Sequence, residues 1–285
     1  MLKIIKRRDI MKNPKERIII LTVFLVLIFI LYTTVVSSAD SLSLSAKSAA
    51  LYDSSSKSFL YTKNADVRLP MASTTKIMTA LVAIESCPID KDVLISDKAI
   101  GIEGSSLYLK KGEIMPMCDL LLGLMLRSAN DAAAAIAYEI SGSIEAFCDK
   151  MNEKAKELGL TDTHFTNPHG LDDEEHYTTA RELALIAAAA LENDTFREIV
   201  SSKKSTVTNS DGEVRLLINH NKLLNMYDGA IGVKTGYTKR SGRSLVGAAE
   251  RDGNSLISVT INAPDDWNDH KILLDYGFKK LEKQH

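Results

Sequence analysis

The 285-residue sequence predicts an α+β fold, in which an antiparallel sheet is assembled from both ends of the chain and a helical lobe is inserted between them. Strand-like runs occur early, at Ser48 to Asp53 and Ser58 to Thr62, and again late, at Val214 to Ile218, Gly229 to Thr235, Arg243 to Glu250 and Leu256 to Asn262. Between them the apolar spacing is helical. Asp252-Gly253-Asn254 is a hairpin turn, so the last two strands should be antiparallel neighbours. A net charge of -2 and 45% hydrophobic residues give an ordinary globular composition, large enough for one domain or two lobes, with no basic excess that calls for nucleic acid.

The amino end is organised differently. Lys3, Lys6, Arg7, Arg8, Lys12, Lys15 and Arg17 precede an uninterrupted apolar run from Ile18 to Leu31, extended by Tyr32 to Val36. A positive flank followed by an apolar core is an export signal with its basic end inside, so residues 1–39 read as a signal peptide or transmembrane anchor and residues 40–285 as the exported domain. Ser37-Ser38-Ala39 suits cleavage, while the length of the run, near the ~20 residues that span a bilayer, favours a retained anchor.

Beyond the first two strands and the polar turn Ser54 to Lys57, Pro70 signals a helix start, and Ile77, Met78, Ala80, Leu81, Ala83 and Ile84 continue it to Cys87-Pro88. Ile89 to Glu113 is mixed, with Gly101, Gly104 and Gly112 marking loops. Met117 to Arg127 and the alanine-rich Asp131 to Ile140 are two helices, the second closed near Gly142, with Ser128-Ala129-Asn130 at their joint. Phe147 to Leu158 is a helix ended by Gly159. Thr161 to Tyr177 is irregular and contains His164, His169 and His176, whose spacing fits no common metal site, and no ion is expected there. Thr179-Ala180-Arg181-Glu182 reads as a capping box opening the helix Leu183 to Leu191, and a last helix runs from about Asp266 to Tyr276, capped by Gly277. Cys87, Cys118 and Cys148 are an odd set; one disulfide with a free thiol is open, and three unpaired, mostly buried thiols is the reading preferred.

The stretch with chemical promise is Pro70-Met71-Ala72-Ser73-Thr74-Thr75-Lys76. Ser73 and Lys76, three apart at a helix start, share a face where a desolvated lysine could take the serine proton. Ser-x-x-Lys also occurs at Ser54/Lys57 and Ser201/Lys204, but those lie in a turn and a polar loop. Only Ser73 is followed in order by Ser128-Ala129-Asn130 and Lys234-Thr235-Gly236. Taken alone, Ser128 or Asn130 could equally be a helix cap.

Together the three motifs resemble the penicillin-binding and serine β-lactamase superfamily. The likeness is nearer to the D-alanyl-D-alanine carboxypeptidases, the low-molecular-mass penicillin-binding proteins. It runs from about Ala46 to Phe278 and takes in Asn167-Pro168-His169-Gly170-Leu171, Lys234-Thr235-Gly236-Tyr237-Thr238 and Asn262-Ala263-Pro264-Asp265-Asp266-Trp267. The resemblance implies the fold of that family and a serine enzyme, without cofactor, that removes the terminal D-alanine of peptidoglycan stem peptides and is acylated by penicillin. It implies Ser73 as nucleophile, Lys76 as proton acceptor, Ser128 as relay to the leaving amine and Asn130 as the orienter of Lys76. Lys234, Thr235 and Gly236 would receive the substrate carboxylate and backbone, and the N–H groups of Ser73 and Tyr237 would form an oxyanion hole.

Some members have a histidine where this chain has Tyr237, and many carry a further strand-rich domain and a carboxy-terminal anchor; here the expected tether is the amino-terminal segment. The alternatives are a β-lactamase and a non-catalytic β-lactam sensor or wall-binding protein. Class A β-lactamases use a glutamate in a Glu-x-x-Leu-Asn pattern, and Glu182-Leu183-Ala184-Leu185-Ile186 departs from it at the last position.

Overall fold

The structure is a computed structural model that describes Lys15, Ile18, residues 20–25 and residues 42–283. The chain divides into a unit of residues 1–42 and a unit of residues 43–285. In the first, Lys15, Ile18 and residues 20–25 are helical. The other basic residues of the expected export signal, the rest of its apolar run and Ser37-Ser38-Ala39 lie outside the described residues. Among the described residues no helix is long and apolar enough to cross a membrane.

The second unit runs through β1 (Ser48–Asp53), β2 (Ser58–Lys63), a 3-10 turn (Ala72–Thr75), α1 (Lys76–Ser86), β3 (Asp92–Leu94), β4 (Ile114–Pro116), α2 (Met117–Leu126), α3 (Asn130–Ser141) and α4 (Ile144–Glu157). It continues with α5 (Ala180–Leu191), α6 (Asp194–Ser201), β5 (Lys204–Thr208), β6 (Val214–Ile218), α7 (Leu223–Met226), β7 (Ala230–Thr238), β8 (Gly242–Arg251), β9 (Asn254–Ile261) and α8 (Asp266–Glu282). Five strands form one antiparallel sheet in the order β2-β1-β9-β8-β7, so the first strands of the unit and the last lie side by side, as the sequence predicts. β1 meets β9 with Ser48 opposite Ile261 and Asp53 opposite Leu256. The hairpin between β8 and β9 turns on Asp252 and Gly253, whose φ values of 49° and 78° are those of the turn that matches strand twist.

The strands β1, β8 and β9 are buried on both faces, and their two-residue period sorts the side chains. Ala50, Tyr52, Val246, Ala248, Ile257, Val259 and Ile261 join the core of the helical lobe. Their alternates face α8: a Cβ at Gly277 would touch Leu256 and Leu51 at 2.6 and 2.8 Å, and His270 hydrogen-bonds Ser258 and Thr260. The lobe itself is alanine-rich where its helices cross, with Ala132, Ala133, Ala134 and Ala137 of α3 fully buried, which lets α3 approach α2 and α4 closely. Asp269 on α8 accepts from Ser45 N at 2.8 Å and Ala46 N at 2.8 Å, fastening the segment that enters β1.

Three details depart from the sequence reading. Gly277 does not cap the last helix. It lies inside α8, which continues to Glu282, because a side chain there would collide with the sheet. Ser201 and Lys204, read as lying in a polar loop, end α6 and open β5; Phe196, Ile199 and Val200 supply the buried face of α6 in a single two-turn helix. The capping box at α5 forms only in half. Thr179 accepts from Glu182 N at 3.1 Å, but the Glu182 carboxylate binds Thr161 N, Asp162 N and the Thr163 hydroxyl instead of returning to Thr179. The three cysteines are free thiols, with Cys87 and Cys148 buried.

Candidate active site

Ser73 sits in the 3-10 turn that leads into α1, and Lys76 is the first residue of that helix. One turn of tight helix carries the two side chains to the same side, with Lys76 Nζ 3.1 Å from Ser73 Oγ. The Lys76 side chain is wholly buried. Its other two neighbours are acceptors, Asn130 Oδ1 at 2.7 Å and the His169 carbonyl at 2.5 Å. That set suits an uncharged amine, whose two hydrogens go to the two acceptors while its lone pair faces the serine hydroxyl. The electrostatics agree: burial first, and the charge of Lys234 second, hold the Lys76 ammonium well below the ordinary lysine range, with Asp131 opposing.

Asn130 opens α3 after a sharp joint in which Ser128 adopts a φ of 60°. Neither residue caps the helix. Ala129 stands at the cap position, and Asn130 points inward, its Nδ2 donating to the Glu103 carbonyl at 2.5 Å, so that Oδ1 is left for Lys76. Next along, the Asp131 carboxylate accepts from Leu107 N and Leu109 N, pinning the loop beside Asn130. Ser128 lines the cleft above Ser73.

The segment Asn167-Pro168-His169-Gly170-Leu171 closes the site from behind. Pro168 O accepts from Thr79 on α1 at 2.6 Å, one turn past Lys76, and Asn167 braces the bend through Gly170 N at 2.7 Å and Leu171 O at 3.0 Å. Gly170 is required twice over: its φ is 87°, and a Cβ there would lie 2.0 Å from Ala72 O. The three histidines of this region have separate tasks. His164 bonds the Glu175 carbonyl, His169 contributes its carbonyl to Lys76, and His176 bonds Thr75.

β7 is an edge strand of the sheet and passes beside the turn. A Cβ on Gly236 would lie 3.1 Å from Ser73 N, so the glycine brings the strand edge against the Ser73 N–H. Lys234 is buried under the cleft, its Nζ bonded to Thr235 O at 3.0 Å, and burial lowers its pKa to about 7. Ser73, Ser128, Thr235, Gly236 and Tyr237 line a cleft of about 630 Å³, so the eight residues singled out from sequence converge on or directly beneath one opening.

A family model for D-alanyl-D-alanine carboxypeptidases (Peptidase S11) matches residues 34–265. The chain belongs to the D-alanyl-D-alanine carboxypeptidase family. It is 37% identical over 245 residues to the D-alanyl-D-alanine carboxypeptidase DacF of Bacillus subtilis, covering 83% of this chain and 63% of that one. With the D-alanyl-D-alanine carboxypeptidase of Streptomyces strain K15 it shares 38% identity, over 77% of this chain and 82% of the relative. The crystal structure of the Streptomyces K15 DD-transpeptidase superposes with a TM-score of 0.79 at 34% identity, covering 84% of this chain and 99% of that one. The chain therefore spans somewhat less than two thirds of the Bacillus relative and most of the Streptomyces one, and the penicillin-binding protein fold expected from the motifs is the fold it has.

Residues of the cleft that sequence reasoning missed come mostly from the strand side of this carboxypeptidase-family domain. Arg243 on β8 is held by Asp266 at 3.0 Å and stacks over Trp267, whose ring centroid is 6.0 Å away. His220 reaches the cleft between β6 and α7, and burial first, then the charges of Lys234 and Arg127, lower its pKa. Ser105 comes from the loop pinned by Asp131, with its carbonyl accepting from Asn130 N at 2.7 Å. Trp267 belonged to a quoted motif; the others had no local signal, because they reach the site only through pairing across the sheet and loop closure.

Proposed function

We propose that this chain is a serine-type D-alanyl-D-alanine carboxypeptidase in which Ser73 is the nucleophile and Lys76 the base. The observation that carries the reading is a buried amine 3.1 Å from a serine hydroxyl with both of its hydrogens assigned elsewhere. In this mechanism Ser73 Oγ attacks the carbonyl of the penultimate D-alanine while its proton passes to Lys76 Nζ. The carbonyl oxygen becomes an oxyanion facing the N–H groups of Ser73 and Tyr237, an arrangement whose loss costs about 10²–10³ in rate elsewhere. The C–N bond then breaks, and the proton reaches the departing amine of D-alanine by way of Ser128. Water attacks the acyl-enzyme, Lys76 again taking a proton, and Ser73 is regenerated.

Lys234 has the complementary task. Its desolvated ammonium is stabilised when the substrate's terminal carboxylate arrives, with Thr235 as a hydrogen-bond donor, and its charge keeps Lys76 neutral. The free edge of β7 receives the extended stem peptide as an added strand. β-Lactams acylate the same serine. The commitment of Glu182 to Thr161, Asp162 and Thr163 counts against a class A β-lactamase route, which needs that carboxylate at the deacylating water. The basic residues and apolar run before Val36 support export, with the domain facing the cell-wall space and held by an amino-terminal anchor.

The test is D-alanine release from a stem peptide ending in two D-alanines, with and without benzylpenicillin, in wild type and Ser73→Ala. Wild type should release D-alanine in a penicillin-sensitive way and the variant should neither release it nor form a penicillin adduct. Release by the variant would overturn the assignment.

A further inference from the structure

The residue before the nucleophile is held in an unfavourable conformation. Ala72 has a φ of 48°, in the left-handed region that is unfavourable for a residue with a Cβ. Its carbonyl accepts a hydrogen bond from the Thr75 hydroxyl at 2.8 Å, a contact that closes the turn carrying Ser73. Thr75 lies between nucleophile and base in sequence, but its side chain points away from the cleft and is buried. There it meets His176 Nε2 at 2.7 Å.

Two independent observations fix the direction of that contact. The single hydroxyl hydrogen of Thr75 goes to Ala72 O, so the hydroxyl must accept from the ring. On the far side of the imidazole, Nδ1 lies 3.1 Å from Thr166 N, and a backbone N–H can only donate. Both require a neutral imidazole with its hydrogen on Nε2. The chain is therefore Thr166 N–H to His176, His176 Nε2–H to Thr75, and Thr75 O–H to the Ala72 carbonyl. Burial keeps the ring neutral, lowering its pKa to about 4 against the raising influence of Asp173. The same loop carries the His169 carbonyl that binds Lys76, so nucleophile and base are fixed to one scaffold.

We propose that His176 is a positioning residue for Ser73, acting through the Thr75 hydroxyl on the Ala72 peptide so that the nucleophile's oxygen and its own N–H stay aimed at the cleft. The inference rests on the functional reading above. Among the described residues the ring's hydrogen-bond partners are Thr75 and Thr166, neither of which lines the cleft, and Phe165 packs edge-on against the ring at 5.8 Å, which holds the imidazole plane. A role confined to stability would leave the chemistry of folded molecules unchanged, whereas a positioning role appears in the acylation rate constant.

The experiment is single-turnover acylation of the full chain by benzylpenicillin, separating the rate constant at saturation from the half-saturating concentration. Thr75→Val keeps the shape of the side chain and removes the hydroxyl. It should lower the saturating rate constant by roughly 10- to 100-fold with the half-saturating concentration within about threefold, since a misaimed nucleophile affects the step and not the encounter. Thr75→Ser, which restores the hydroxyl, should return to within about threefold of wild type. At the other end of the relay, His176→Gln keeps a donor near Nε2 and should react at least about fivefold faster than His176→Leu. That pair reads the same contact should Thr75→Val fail to fold. A saturating rate constant in Thr75→Val equal to wild type, or equal rates in the two His176 variants, would overturn the inference. A wild-type protein that benzylpenicillin does not acylate would instead overturn the functional reading, and this inference with it.

Discussion

Replacing Gly170 by alanine tests how tightly the loop behind the site governs the nucleophile. A carbon built on Gly170 lies 2.0 Å from Ala72 O, 2.4 Å from the Ala72 carbonyl carbon and 2.9 Å from Ser73 N. Ordinary packing needs roughly 3.5 Å between such atoms, so either the loop or the Ser73 turn must move by at least about 1 Å. Neither can move alone. The loop supplies the His169 carbonyl to Lys76 and the Pro168 carbonyl to Thr79, and the turn is stapled by Thr74 to Met71 O and Thr75 to Ala72 O. A shift of that size in a catalytic group costs about 10² in rate, so acylation by a fluorescent penicillin under single-turnover conditions should slow about 100-fold. The left-handed φ of 87° adds a backbone penalty of about 1–2 kcal/mol, equivalent to a fall in melting temperature of about 2–8 °C for a domain of this size. A Gly170→Ala protein that melts with wild type and acylates within about threefold of it would show that the loop does not constrain Ser73, and the geometric reasoning would be wrong.

Two further predictions concern charge. Lys234→Gln removes the cation that depresses the Lys76 pKa, so the acid limb of the acylation profile should move to higher pH, and KM for a peptide with a free terminal carboxylate should rise about 10- to 100-fold; an unmoved limb would separate the two lysines. His176 and His270 are buried and His169 is partly buried, and desolvation lowers their pKa values from 6.5 to about 4, 3 and 3. Each unfolded histidine binds a proton below 6.5 that its folded counterpart refuses, so stability is complete above that pH and declines as the pH falls towards 4. With three groups the slope approaches about 4 kcal/mol per pH unit, measurable as a falling urea midpoint between pH 7 and 5, and His176→Gln should flatten it by about a third; a midpoint independent of pH would contradict the burial of these rings.

How much of this was legible beforehand follows from what sequence encodes. Ser73, Lys76, Asn130 and the Lys234 triplet could be found because they stand in short motifs whose order along the chain is distinctive. Asn130 alone was ambiguous with a helix cap, and only the carbonyl of Glu103, which turns its amide, resolves the matter. The loop from Pro168 to Gly170 contributes main-chain oxygens and a close approach, so its glycine was visible and its purpose was not. Gly277 shows the opposite error: a glycine that looked like a helix stop is an internal residue shaved to fit Leu51 and Leu256. The short α6 was missed because two turns give too few repeats to establish a period, even though Phe196, Ile199 and Val200 fall on one face. His176 was noted as one of three histidines, and its value lies in a contact with Thr75 that no local pattern announces.

The most direct probe of the neutral amine at Lys76 is the pH dependence of the second-order rate constant for benzylpenicillin acylation of Ser73, followed by adduct mass between pH 5 and 10. With Lys76 unprotonated by burial and by Lys234, the constant should fall on the acid side well below the ordinary lysine range, and it should decline, not climb, above about pH 7, where Lys234 loses the charge that receives the carboxylate. A rate that instead climbs about tenfold per unit towards pH 10 would mean that Lys76 is an ordinary ammonium at neutrality and cannot be the base.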